Sequence, residues 1–205
     1  IDCVAGTWLS TTANTQASDC IDCVPGTYGP LAARTAISDC IDCIAGKYST
    51  TTAADAETVC IECSAGKYST QQASPAESNC IECPMGTYIQ LTGSDSGDDC
   101  IECDAGKYLD AVGSTAVTDC IDCAVGTWLS SQGNTGSGDC IDCGVGRYSV
   151  AAGAWDVRFC TDCMAGKWVG STRNANATDC IDCVVGKYVD VTGSDAASDC
   201  IDCVV

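Results

Sequence analysis

The chain has 205 residues, yet its nominal hydrophobic share of 46% rests largely on Cys, Ala and Val, with one Phe and two Met, which excludes a thick apolar interior. With 28 acids against 9 bases and no His, the net charge is −19; this excludes a phosphate-binding surface and leaves no Ser–His pair for nucleophilic catalysis. The 21 Cys are the dominant signal and point to a disulfide scaffold in an oxidising setting, extracellular or at a cell surface.

From Ile1 to Cys200 the sequence repeats every 20 residues without insertion or deletion. The modules are 1–20, 21–40, 41–60, 61–80, 81–100, 101–120, 121–140, 141–160, 161–180 and 181–200, with a partial one at 201–205. The whole of 1–205 reads as one continuous array whose ends look cut from something longer. No run approaches the roughly 20 apolar residues that a membrane-spanning helix needs.

Within a module, position 1 is usually Ile, position 2 is Asp or Glu, and position 3 is Cys. Position 6 is Gly from Gly6 to Gly186, which predicts a positive φ or a close backbone approach just before a strand. Position 8 is aromatic throughout (Trp8, Tyr28, Tyr48 and onward to Tyr188), and these rings are expected to form the core against a disulfide and the next module's Ile. Residues after the ring, such as Tyr48-Ser49-Thr50-Thr51-Thr52, favour extended structure, and a Gly or Ala at position 13 marks a turn.

Position 20 is again Cys, so every junction reads C-x-x-C. Pairing can run across the junction, as in Cys20 with Cys23, or within a module. Within-module pairing is favoured because closing such a loop removes roughly 3 kcal/mol of unfolded-chain entropy, whereas a C-x-x-C bridge constrains almost nothing. It would join Cys3 to Cys20, Cys23 to Cys40, Cys43 to Cys60, Cys63 to Cys80, Cys83 to Cys100, Cys103 to Cys120, Cys123 to Cys140, Cys143 to Cys160, Cys163 to Cys180 and Cys183 to Cys200. Cys203 would then open an eleventh bridge.

The expected fold class is small, disulfide-rich and mostly β or irregular: an elongated tandem-repeat rod of ten 20-residue modules, each with one hairpin-like loop and one disulfide. The alternative is a parallel β-solenoid. That fold would stack Asp2, Asp22, Asp42 and Glu62 at about 4.8 Å, and uncompensated like charges would weaken each rung.

The run Cys63-Ser64-Ala65-Gly66-Lys67-Tyr68 through Cys80-Ile81-Glu82-Cys83 resembles the ephrin-receptor-like cysteine-rich repeats and the single-disulfide module of tumour necrosis factor receptor ectodomains. The resemblance covers the whole chain. It implies an extracellular stack of modules, each closed by one bridge, and no catalytic residues. Those receptors mix module types, whereas this array uses one.

Four thiolates on two C-x-x-C turns would also suit zinc, but the motifs form a chain with no division into pairs. Acids flank the junctions, among them Asp19, Asp22, Asp39 and Asp42. They are weak candidates for Ca2+, set against a solvated face that keeps the array soluble; Val59, Asn79 and Phe159 interrupt the pattern. No other cofactor is expected. Asn176-Ala177-Thr178 is an N-glycosylation acceptor, and the Ser/Thr-rich loops suit O-linked sugars.

Residues 141 to 180 depart from the rest. Four bases (Arg147, Arg158, Lys167, Arg173) balance four acids (Asp142, Asp156, Asp162, Asp179), so the remaining residues carry the entire −19. Trp155 and Phe159 lie here outside the regular aromatic position, and Thr161 replaces Ile. Arg147, Trp155, Arg158, Phe159 and Arg173 form the candidate protein contact, expected to dock on an acidic stretch of a neighbouring chain.

The functional expectation is a structural component of an extracellular filament or surface coat, built by homotypic assembly, and not an enzyme. The alternative is the stalk or ligand-binding ectodomain of a cell-surface receptor or adhesin.

Overall fold

The computed structural model describes residues 2–10 and 16–204. They form a run of two-residue strands, irregular loops and three-residue 3-10 turns, with no α-helix among the described residues. Contacts divide the chain into two compact units, Ile1–Pro84 with Tyr88–Ile101 and Val112–Ala116, and Met85–Thr87 with Glu102–Ala111 and Val117–Val205.

The module is built from its Gly outward. Gly66 takes φ +84°, a region that side chains with a Cβ avoid, and this turns the chain into the strand Lys67–Tyr68. That strand pairs antiparallel with Ile81–Glu82, in the register Lys67 with Glu82 and Tyr68 with Ile81. The hairpin therefore straddles the module boundary, taking its second strand from the first two residues of the next repeat. Between the strands the loop turns through a positive φ at position 13 (Ala33, Ala53, Ala73, Gly93 and Gly113 in the first unit) and then a 3-10 turn at positions 17 to 19. The carboxylate at position 19 fastens that turn. Asp179 Oδ2 accepts the backbone N–H groups of Ala175 and Asn176 at 2.8 and 2.9 Å, and Asp139 does the same for Thr135 and Gly136.

All ten bridges run within modules, from Cys3–Cys20 to Cys183–Cys200, each spanning 17 positions. In the first unit, successive modules are joined by backbone hydrogen bonds. Gly46 N–H donates to Ser69 O (2.8 Å), Ser49 N–H to Ser74 O (3.0 Å), Cys63 N–H to Gly46 O (2.8 Å) and Ala73 N–H to Cys43 O (2.9 Å). The second unit repeats the scheme from the same positions: Gly126 to Ser149, Leu129 to Ala154, Cys143 to Gly126 and Gly153 to Cys123. Among the described residues no continuous sheet results. The ladders are two-stranded, supplemented by single parallel bridges such as Tyr48 with Ser74, so the hairpin reading holds and the solenoid ladder of like charges does not form.

Packing reaches one module further. A Cβ built on Gly46 would lie 2.1 Å from the carbonyl oxygen of Gly93, and one on Gly126 would lie 2.5 Å from that of Arg173. From Gly6 to Gly146 the position-6 Gly thus serves both expected purposes, a positive φ and a backbone approach too close for any side chain, whereas Gly166 and Gly186 serve only the first.

Two expectations are corrected. The position-8 rings flank the core instead of forming it: most are half-buried, Tyr188 is exposed, and their cross-strand Ile partners are exposed by 42 to 52%, although the expected contact of ring with disulfide is present where Tyr148 packs against Cys163 and Cys180. The interior consists of the position-3 sulfurs (Cys63, Cys83 and Cys123 at 0%) with positions 9 and 14, such as Leu109, Ile89, Ser74 and Ala154. The cause is geometric, since a strand two residues long sends neighbouring side chains to opposite faces and the residue after the ring points inward. For the same reason the extended stretch expected after the ring is no hairpin strand. Ser49 donates its N–H to the next module instead.

Candidate functional site

Two features set the surface chemistry, a ladder of ion pairs along the hairpins and one aromatic patch. The hairpin register places position 7 opposite the acid of the next module. Where position 7 is Lys or Arg, an ion pair can form across the strands: Lys107 Nζ to Asp122 at 2.6 Å, Arg147 Nε to Asp162 at 2.7 Å, Lys167 to Asp182 at 2.7 Å, Lys187 to Asp202 at 3.1 Å and Lys47 to Glu62 at 3.8 Å. Lys67 turns instead to Glu77 at 3.8 Å. Where position 7 is Thr, as at Thr27 opposite Asp42, the acid has no cation across from it. Sequence reading missed this ladder. Its signal was present, a base at position 7 always 15 residues before an acid, but only the hairpin register makes that spacing meaningful.

The remaining bases also meet acids, Arg34 with Asp39 (3.7 Å), Arg158 with Asp156 (2.9 Å) and Arg173 with Asp142 (4.0 Å). All 9 bases are thus engaged within the chain; among the surplus acids, position-19 carboxylates such as Asp179 and Asp199 accept backbone N–H groups in their own turns.

The calcium candidates separate. Asp19 and Asp39 accept backbone N–H groups in their own turns, Gln16 at 3.1 Å for the first and Thr35 and Ala36 at 3.2 and 3.1 Å for the second. Asp22 and Asp42 lie on exposed hairpin strands. No cluster of three or more His, Cys, Asp or Glu positioned for a metal ion occurs among the described residues. The zinc alternative needs thiolates, and the bridged cysteines offer none.

Of the five candidate contact residues, three come together. Trp155 and Phe159 meet edge-on with ring centroids 5.4 Å apart, and with Arg158 they line a shallow depression of about 290 Å³. Arg158 is clamped on Asp156. Its backbone N–H donates to Oδ1 at 2.8 Å, Nε to the same oxygen at 2.9 Å and Nη2 to Oδ2 at 3.2 Å. These bonds hold the Asp156 carboxyl below its ordinary value of 3.8 and raise the guanidinium in turn. Arg147 and Arg173 point to other carboxylates and take no part in the depression. Asn176 lies with Ala177 and Thr178 on an exposed stretch, its backbone extended at φ −142°, ψ 156°.

A tandem array of single-disulfide hairpin modules is the class that this geometry defines. Within it, residues 50–100 and, overlapping them, 72–120 match the family described as tyrosine-protein kinase ephrin type A/B receptor-like. That is the ephrin-receptor-like cysteine-rich repeat to which the motif had pointed. No curated protein matches the chain.

Proposed function

We propose that the array is a structural component of an extracellular filament or surface coat, assembled from copies of itself. One observation carries this reading: the backbone bonds that join modules come from the same positions in both units, whatever side chains lie between. Each module is an interchangeable spacer, and its stability comes from its own bridge and its neighbours. The disulfide density supports an oxidising compartment, and the ephrin-receptor-like match agrees with an extracellular setting. Electron microscopy of the native, unreduced protein at physiological salt tests the reading. Continuous fibres of regular diameter are expected, and isolated particles at all concentrations would overturn it.

The family match favours a second reading, the stalk or ligand-binding ectodomain of a cell-surface receptor. Under either reading Asn176 carries an N-linked glycan in a eukaryotic secretory host. A mass increment that is removed by an N-glycosidase and absent from Asn176→Gln checks this.

A further inference from the structure

The junction at Cys160–Thr161 departs from the repeat in two ways at once. The position-1 Ile that pairs with the ring elsewhere is Thr161, in register with Tyr148. Directly before it, Trp155 and Phe159 add two aromatic rings that no other module has at these positions, 52% and 37% exposed. So the one junction among 21 to 201 that has lost its aliphatic side chain has gained an aromatic depression.

Arg158 completes that depression. A guanidinium has five N–H donors, and Asp156 accepts from two of them, which leaves the others for an incoming oxygen. Asp156 also fixes the fork in place, so little side-chain entropy remains to be lost on docking. Charge favours this place over the rest of the surface, because residues 141–180 are neutral while the remainder carries −19. An acidic partner meets net repulsion elsewhere and less here, where Arg158 offsets Asp156.

The array itself displays the complementary shape. At its other junctions an exposed Ile stands beside an exposed carboxylate, as at Ile41–Asp42, whose acid faces Thr27 and has no basic group within ion-pair distance among the described residues. We propose that the Trp155–Arg158–Phe159 depression is a docking site for an Ile–Asp/Glu pair of a second copy of this chain, the Ile against the two rings and the carboxylate on Arg158. This rests on the homotypic-assembly reading and names its contact. The two partners present different surfaces, so the contact is heterologous and repeats into open assemblies instead of closing as a dimer.

The test is sedimentation velocity over a concentration series at physiological salt. All proteins carry Cys203→Ser, so that the exposed thiol cannot form intermolecular bridges. Trp155→Ser/Arg158→Gln is compared with the parent, and a non-reduced peptide map verifies the ten bridges in both. The parent is expected to form species growing with concentration, with the variant's midpoint raised at least roughly thirtyfold, as for loss of an interface hot spot. Mixed with the parent, the variant is expected to enter assemblies, because it keeps its Ile–acid pairs. Unchanged assembly of the variant overturns the docking site while leaving the filament reading in place. A variant that neither assembles nor joins the parent overturns the Ile–acid occupant in favour of patch-on-patch contact. A parent that stays monomeric overturns both the site and the filament reading, and directs attention to a different partner.

Discussion

The modules 61–80 and 141–160 share a backbone and little else. In both, the position-6 Gly donates to position 9 of the next module (Gly66 to Ile89 at 2.9 Å, Gly146 to Val169 at 2.8 Å), and the next Cys donates back (2.9 and 2.8 Å). The side chains diverge. Module 61–80 buries a hydroxyl pair, Ser69 with Ser74, and ties its turn with Asn79 to Gln71, while module 141–160 buries Ala154 and ties its turn with Asp156. The fold therefore depends on few positions, namely two Cys, one Gly and one positive-φ turn. The loops between are free to vary, and an interaction patch can arise in one module without disturbing its neighbours.

The comparison breaks most easily at the shared Gly. A Cβ at Gly66 would sit 2.1 Å from Gly113 O, a backbone atom that cannot swing away, whereas one at Gly186 meets nothing within 4 Å although its φ is +88°. Gly186→Ala is expected to cost only the left-handed strain, about 1–2 kcal/mol. Gly66→Ala adds a clash whose relief must separate modules two apart, and the cost is expected to exceed about 3 kcal/mol. Hydrogen exchange at peptides 63–80 and 103–120 checks this, with loss of protection at both in Gly66→Ala and only local loss in Gly186→Ala.

Next in size is the bridge. Cys143→Ser/Cys160→Ser is expected to destabilise its module by roughly 3 kcal/mol and Cys63→Ser/Cys80→Ser by the same amount, since both close equal loops. Denaturant titration followed by proteolysis measures both, and an effect confined to one pair would mean that side chains outside the shared scaffold matter more than the scaffold does.

Much of this was legible in the sequence because period, Cys spacing and Gly recur at fixed positions. The pairing followed from loop entropy, and the turn at position 13 followed from Gly and Ala there. What stayed hidden depends on register. The two-residue strands straddle the repeat boundary, so the ion pair of Lys107 with Asp122 lay across what the sequence presents as separate modules. The exposure of Ile and the half-burial of the rings had the same origin, because an aromatic signals a core only when the strand face it occupies is known. The Trp155 and Phe159 contact was visible as an irregularity in a monotonous sequence. The separation of Arg158 from Arg147 and Arg173 was not, since each guanidinium has acids at several spacings from which to choose.

Position 13 gives a smaller effect of opposite sign. Ala53 holds φ +51° where Gly113 and Gly133 occupy the same role. Ala53→Gly removes left-handed strain and is expected to stabilise its module by about 1 kcal/mol, whereas Gly113→Ala, whose Cβ would come 3.3 Å from Glu82 Cγ, is expected to destabilise by at least as much. Thermal unfolding monitored by near-ultraviolet circular dichroism checks the sign of each.

The smallest effect separates the two modules by pH. Asp156 is held below its ordinary 3.8 by its bonds to Arg158, so the folded carboxyl is the stronger acid. The clamp's contribution is therefore complete above the unfolded value and declines as pH falls through the lower, folded one. Arg158 is largely exposed while Asp156 is part-buried, so solvent screening of the pair keeps the stability change slight, yet Trp155 shares the depression with Arg158 and reports its release. Trp155 indole chemical shifts are expected to move only below about pH 4. In Asp156→Asn that transition is expected to vanish, while the module 61–80, which fastens its turn with neutral Asn79 and Gln71, shows no corresponding step in either protein. A transition that survives Asp156→Asn would assign the change to another carboxylate and would remove the clamp as the feature that orders Arg158 beside the two rings.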